Sequence, residues 1–439
     1  NLGVAHPPGF PLYLLISHAA TRVPLGSVAQ RVHFVSALCA AVAVVLLYLV
    51  TMEALRFPRS RPQAATARKT KPGTPRGALP RQYECIAAGT AAALVACSRT
   101  LWSYAAVAEV YTMNAALILL VLLLLFRWRR RAAGPGAGAE GKGANPGAAG
   151  ALSRTGGNGD APAPVLAAFV FGMALGVHHV TVALTLPAIL WFVWSTQGTG
   201  FLRSRRFGLA VLAGLAGLCI YAYLPWAAAR SPVLNWGDPD TPERFWRHVS
   251  GMQYQSNFSL SPDQVLRQIG SFLQLLFAEF GRPWLPAGLA LAFAGFWYLF
   301  KKDRTLLVFL ILAVCCNLIF TAGYDIAEDK DAYAIPVFLV VALAAGLGAR
   351  ALLASVREPK RPVLSAFLLL VPVLSLAAHV RANDRRGFHV AEDYVQNILR
   401  GVDRGGLLLT ADWQVASPML YLQEKIGRAS CRERVWTVV

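Results

Sequence analysis

Long apolar runs separated by short polar or basic breaks dominate the chain. Ten runs approach the length of a bilayer crossing: about 32–51, 84–97, 110–126, 164–178, 180–195, 207–225, 284–300, 305–321, 333–353 and 363–380. A spanning helix needs roughly 20 apolar residues, and some of these runs are shorter. The pattern predicts an all-α polytopic membrane protein with about ten transmembrane helices over residues 1–380. Beyond 380 the character changes, and acids balance arginines. Val390, Tyr394, Val395 and Ile398 have helical spacing, and Gly405–Asp412 reads as turn, short strand, turn. This predicts the start of a small external α/β domain over 381–425.

Composition supports the membrane reading. Of 439 residues, 56% are apolar and 15% charged, against about a quarter charged in ordinary soluble domains. Disorder, a fibrous repeat and a small disulfide scaffold are excluded. The net charge of +19 suggests nucleic acid until its placement is examined. The stretches 53–82, 127–163, 203–206, 301–304 and 350–361 carry +7, +4, +3, +2 and +3, which is all of it. They lie at alternate ends of the apolar runs, as cytoplasmic loops do under the positive-inside rule. No nucleic-acid partner is expected. The predicted outer side then holds residues 1–31, 98–109, the junction at His178 and His179, the large loop 226–283, the loop 322–332 and everything after 380. Two cytoplasmic segments, about 58–81 and 132–164, are rich in Pro, Arg and Lys or in Gly, Ala and Pro, and read as disordered linkers.

The chain opens without Met, inside a motif, and Ile426–Val435 resembles one reading frame of a sequencing adapter. The expectation is that sequence upstream of Asn1 is missing and that 426–439 is artefact. The cysteines before that point lie in or beside apolar runs without zinc-ligand spacing.

Polar groups collect at the predicted outer ends of the runs. His6-Pro7-Pro8-Gly9 is a stiff extended turn before an apolar stretch, able to hold an imidazole at a membrane surface. Glu109 is the one acid in a long apolar stretch that also carries Trp102 and Tyr111. A carboxylate there is costly, so it is either functional or paired, with Arg99 its nearest partner. His178 and His179 point about 100° apart on a helix, which suits one metal ion poorly, and one of them facing a polar cavity fits better. In Asn235-Trp236-Gly237-Asp238-Pro239, Asp238 either caps a helix over Pro242–Tyr254 or contacts substrate. The acidic segment Tyr324–Asp331, which includes Asp325, lacks the spacing of a calcium loop and leaves contact with a divalent cation or a substrate hydroxyl open. No phosphate loop, dinucleotide fingerprint or nucleophile elbow is present.

Leu2-Gly3-Val4-Ala5-His6-Pro7-Pro8-Gly9-Phe10-Pro11-Leu12, Trp102 through Glu109-Val110-Tyr111, Gly176-Val177-His178-His179 and Asn235-Trp236-Gly237-Asp238-Pro239 together resemble the membrane family called domain of unknown function 2723. That family includes the transmembrane protein 260-like protein O-mannosyltransferases. The resemblance covers almost all of residues 1–425 and implies a GT-C glycosyltransferase. Such an enzyme moves a sugar (mannose or another hexose) from a polyprenyl-phosphate carrier to a hydroxyl acceptor on the non-cytoplasmic face. The implied partners are membrane lipids, the lipid-linked sugar and a protein or glycan acceptor. The implied catalytic residues present are His6 and Glu109. Pro7, Pro8, Gly9, Trp102, Tyr111, His178, His179, Trp236, Asp238 and Asp325 are implied in substrate binding. In the family an Asp and a Glu precede the Leu-Gly-Val-Ala-His-Pro-Pro-Gly segment, so the acidic pair is expected upstream of Asn1. The family's Arg two residues after the proline matching Pro225 is Ala227 here. That leaves Arg230 or Arg282 to hold the leaving phosphate, with a divalent cation as the other means of neutralising it; no cofactor is certain. The Ala-, Arg- and Gly-rich linkers suggest a GC-rich bacterial genome and the inner membrane. A transporter or flippase would instead need ionisable groups at mid-membrane and internal repeats. A non-catalytic anchor for the external domain leaves His6, Glu109 and Asp238 without a role.

Overall fold

The computed structural model describes residues 2–57, 79–132, 162–281, 286–325, 329–402, 407–410, 412–421 and 434–437. Residues 58–78 and 133–161 of the predicted linkers, and most of 426–439, lie outside these, whereas Arg81 and Pro162 begin helices. The chain divides into two units, Asn1–Leu25 with Ala29–Asn383, and Gly26–Val28 with Asp384–Val439.

The first unit is a helical membrane bundle. A short apolar helix, α1 (Pro11–Ala20), leads to α2 (Val28–Leu55), α3 (Arg81–Ala96), α4 (Arg99–Ala105), α5 (Tyr111–Ala132), α6 (Pro162–Ala183) and α7 (Leu186–Gln197). Next come α8 (Arg205–Leu218), which continues through a 3₁₀ turn into Tyr223–Ala228, and the short α9 (Pro242–Val249). The unit closes with α10 (Pro262–Phe280), α11 (Ala287–Lys302), α12 (Arg304–Gly323), α13 (Ile335–Ser355) and α14 (Arg361–Asn383).

Seven of the described helical segments are long and apolar enough to cross a membrane. An eighth is gained if α3 and α4, bent by 61°, form one broken span. This corrects the expectation of ten. The run 180–195 does not stand alone: helix α6 continues through the histidine pair to Ala183, with a non-helical residue at His178 (φ −153°, ψ 86°). The remainder, α7, has only 12 residues. The run 284–300 yields α11, 16 residues long. Polar residues inside an apolar run thus mark a kink here, where the sequence suggested a crossing point.

Close helix approach depends on small residues, as is usual where lipid removes the hydrophobic drive for association. A Cβ on Gly172 would sit 2.1 Å from the Gly214 carbonyl oxygen, locking α6 to α8. A Cβ on Gly295 would sit 1.8 Å from Ala344 O, and one on Gly348 1.9 Å from Leu291 O, locking α11 to α13. Helix α13 is the most enclosed span and forms the middle of the bundle.

The two ends of the bundle differ in chemistry. At one end the basic stretches converge. Glu53 receives Arg130 at 2.6 Å, with Arg127 and Arg56 at 3.5 and 3.6 Å. Arg129 pairs with Asp303 at 2.9 Å. Trp128 packs on Phe201 beside the 203–206 cluster, and the Tyr83 hydroxyl donates to Glu358. The described ends of all five basic segments therefore share one end, in the alternation read from the charges. The opposite end carries the polar motifs.

In the second unit, α15 (Val390–Gly401), β1 (Leu407–Thr410), α16 (Trp413–Tyr421) and β2 (Arg434–Thr437) follow in order. The two strands pair in parallel, Leu407 opposite Arg434. Val395, Val415 and Met419 form a small core.

Candidate functional site

Chain segments from five regions meet at the polar end of the bundle. The first is residues 2–10. Val4 pairs with the 234–236 strand-like segment: its N–H donates to Leu234 O at 2.8 Å, and Trp236 N–H donates to Val4 O at 3.3 Å. Gly3 makes this approach possible, since a Cβ there would lie 2.5 Å from Leu234 O. The Pro7–Pro8 bond is cis. Gly9 has φ +91°, and a Cβ on it would strike Leu224 at 2.7 Å. The glycine is needed for both reasons.

This turn presents His6. Its Nδ1 lies 3.0 Å from Pro7 O and 3.3 Å from the Tyr254 hydroxyl. Its ring meets Phe10, Trp236 and Tyr254 edge-on. A carbonyl beside Nδ1 favours the tautomer protonated there, which leaves the lone pair on Nε2. Burial lowers the imidazole below its usual pKa, against smaller opposing effects of the Pro7 bond and the Asp329 charge. His248 is buried against the same turn. It packs where Cβ atoms on Gly9 or Gly237 would come within 3.1 Å, and burial pushes it down to about 4.

Glu109 lies between α4 and α5. Its backbone is held by Ser36, whose hydroxyl donates to Glu109 O at 3.0 Å. Burial first, and then the charge of Asp329, raise its carboxyl to about 7; a weak bond from Val110 N–H opposes them. Among the described residues Glu109 forms no ion pair with Arg99, so of the two sequence readings the pairing is not made.

Asp329 is the hub that connects these groups. It accepts the Tyr104 hydroxyl at 3.1 Å and faces the Tyr111 hydroxyl at 3.5 Å, while Asp331 accepts Tyr104 at 2.7 Å. Tyr111 in turn packs on Tyr104, His178 and Tyr333. His178, at the kink in α6, shares Thr181 with Asn114. Beside Asp329 and Asp331 opens a cavity of about 360 Å³, flanked by Arg99 and Lys330 and walled by Ser271, Phe272 and Leu275 of α10.

The sequence-predicted residues therefore separate. His6, Glu109, Tyr111, His178 and Trp236 are linked to this cluster, and Pro7, Pro8 and Gly9 build its turn. His179 is half-buried beside His178, and Trp102 is half-buried on α4. Asp238 stands apart: it accepts Asn235 at 2.7 Å and pairs with Arg244 at 2.9 Å. The helix cap is Thr241, whose hydroxyl accepts Arg244 N–H, and the helix ends at Val249. Of the two roles open to Asp238 in the sequence, the cap is therefore not taken. Asp325 accepts Gln268 at 2.7 Å, on the surface. Arg230 is exposed, stacked 3.7 Å over Trp226. Arg282 lies outside the described residues. Tyr104, Tyr254 and Tyr333 were not singled out from sequence, and Asp329, Lys330 and Asp331 only as members of the acidic segment. Among the described residues no three His, Cys, Asp or Glu side chains converge as a metal site.

Residues 1–199 match the family described as Protein O-mannosyl-transferase TMEM260 N-terminal domain. The Mus musculus Protein O-mannosyl-transferase TMEM260 is 26% identical over 435 residues, covering 93% of this chain and 54% of that protein. The chain thus spans about half the length of the curated relative it matches. Among solved structures, ArnT from Cupriavidus metallidurans bound to undecaprenyl phosphate superposes with a TM-score of 0.55 at 14% identity, covering 96% of this chain and 75% of that one. The oligosaccharyltransferase AglB from Archaeoglobus fulgidus, in complex with an inhibitory peptide and a dolichol-phosphate, gives 0.45 at 13% identity over 86% and 47%. The ArnT likeness shows that the two chains share a membrane fold.

Proposed function

We propose that this chain is the membrane portion of a GT-C glycosyltransferase. The full-length enzyme transfers mannose or another hexose from a polyprenyl-phosphate carrier to a hydroxyl, with protein Ser or Thr as the preferred acceptor. The observation that carries the reading is the juxtaposition at one end of a GT-C-like bundle. There the charge of Asp329 acts on His6 and Glu109, its carboxylate holds Tyr104, and with Asp331 it borders a cavity flanked by Arg99 and Lys330.

The chemistry follows from those groups. The acceptor oxygen attacks the anomeric carbon as a base takes its proton, and the bond from that carbon to the phosphate oxygen breaks. Glu109 near pH 7 is poised between its forms, and the free Nε2 of His6 is a second acceptor for the proton. The departing lipid phosphate carries away negative charge, and fixed cations stabilise it. Arg99 and Lys330 suit that task better than Arg230, which is engaged with Trp226. Asp329 and Asp331, with their tyrosine donors, offer hydrogen-bonding partners for sugar hydroxyls.

The test is mass spectrometry of secreted and envelope proteins from wild-type and deletion strains. Loss of hexose from Ser or Thr is the expected result. An unchanged protein set with an altered envelope glycan would move the acceptor to another class, and no change in either would overturn the reading.

The proposed active site faces outward from a bacterial inner membrane, because the basic end takes the cytoplasmic side. A cysteine placed at Ser256 should react with a membrane-impermeant maleimide in intact cells, and one at Thr66 should not. The opposite labelling would put the site in the cytoplasm, where the proposed reaction does not take place.

A further inference from the structure

Among the described helices of 18 or more residues, α10 alone is not apolar enough to cross a membrane. Its attachments show where it runs. Near its start, Gln264 Nε2 donates to Gly323 O at 2.8 Å and Gln268 Nε2 to Asp325 at 2.7 Å, both at the site end of α12. Near its finish, Ala278 O faces His379 Nε2 at 3.2 Å, close to the site end of α14. Glu279 accepts Thr100 N–H at 3.2 Å and the Thr100 hydroxyl at 3.0 Å, at the start of α4. Nineteen helical residues extend roughly 28 Å. Both ends of that length are tied to the same end of the bundle, so α10 lies across the bundle instead of through it.

Its faces are unlike. Gln264, Gln268, Phe272 and Glu279 are buried. On the other side Leu266, Ile269, Leu273 and Phe277 recur at helical spacing and are 69%, 45%, 56% and 48% exposed. The spans that anchor it carry exposed apolar residues at the same end, Ile319 on α12 and Leu376 on α14. Those face lipid in a multi-pass protein. A stripe of large apolar side chains placed between them is covered at least cost by the same leaflet.

We infer that α10 is an interfacial helix docked on the leaflet at the site end, with the Leu266–Ile269–Leu273–Phe277 stripe immersed in acyl chains. Its occupant is the lipid surface itself. Ser271, Phe272 and Leu275 of the same helix wall the Arg99 and Lys330 cavity, so α10 is the partition between bilayer and cavity. The inference rests on the fold and stands or falls separately from the sugar-transfer reading.

Nitroxide labels decide it. They would be attached singly at positions 266, 269, 273 and 277, with positions 267 and 274 on the polar flank as controls, in a cysteine-free chain reconstituted in liposomes. The stripe labels should collide with oxygen at least threefold more than with a water-soluble nickel chelate, relative to the controls. Stripe labels as open to nickel as the controls would put the helix in water. Stripe labels shielded from both reagents would mean that protein, not lipid, covers it. Either result overturns the inference, whatever the transfer activity.

Discussion

Replacing Glu109 by Gln in the full-length enzyme is expected to cut sugar transfer per folded molecule by about 10²-fold or more, the scale of a lost general base, and to leave the protein more stable above pH 7. The two effects share a cause. The carboxyl titrates at 4.5 in its unperturbed state and at about 7 in the fold, chiefly through burial and then through Asp329. Below pH 4.5 it is protonated in both folded and unfolded chains and has no effect on stability. As pH rises, the unfolded chain releases the proton first. The fold therefore loses stability progressively and reaches a deficit of about 3 kcal/mol once the pH has passed 7. Gln carries no proton to release and escapes that deficit. Wild-type transfer should rise along an acid limb centred near pH 7. Transfer rates and melting temperatures at pH 5 and pH 8 check both halves. A Gln variant with an undiminished rate, or one that melts lower at pH 8, would remove Glu109 from the proposed site.

The second large effect is expected at Asp329. Asp329→Asn removes the charged acceptor of the Tyr104 and Tyr111 hydroxyls and the negative field that raises Glu109. Asn tolerates the left-handed backbone found there (φ 54°), so the turn itself should survive. Transfer should fall by about 10²-fold, and whatever activity remains should have its acid limb displaced to lower pH. The displacement matters more than the loss. Simple loosening of the loop would reduce rate without moving the limb, so an unmoved limb would show that Asp329 does not act through its charge.

Legibility in the sequence followed the physics of each feature. Spans were visible because lipid enforces long apolar runs, and the alternation of basic loops was visible because charge is counted, not folded. What misled was length: α7 and α11 come from convincing apolar runs, yet they stop at 12 and 16 residues. His6, Glu109, Tyr111 and His178 could be named because a polar group at the edge of an apolar run is costly and therefore conspicuous. Asp329 could not be told from Asp325 four positions earlier. A backbone turn aims one at the tyrosines and leaves the other to Gln268. Tyr254 reaches His6 across 248 residues, and Asp238 is claimed by Arg244. Such choices depend on which distant segments meet, and no local pattern records that.

The cluster around Glu53 bears on how the chain enters its membrane. Glu53 is only 4% exposed at the end of α2, and its close partner Arg130 belongs to α5. A ribosome that has produced α2 has made the carboxylate but not that guanidinium, and until Arg127 is made Arg56 is its one cationic contact among the described residues. A carboxylate without its full complement of charge is costly to seat in a protein interior. Helices α2 and α3 should therefore wait, loosely associated at the insertion machinery, until α5 arrives and all can settle together. Biogenesis would then proceed by a cooperative group of helices, with Arg130 as the late arrival that releases it.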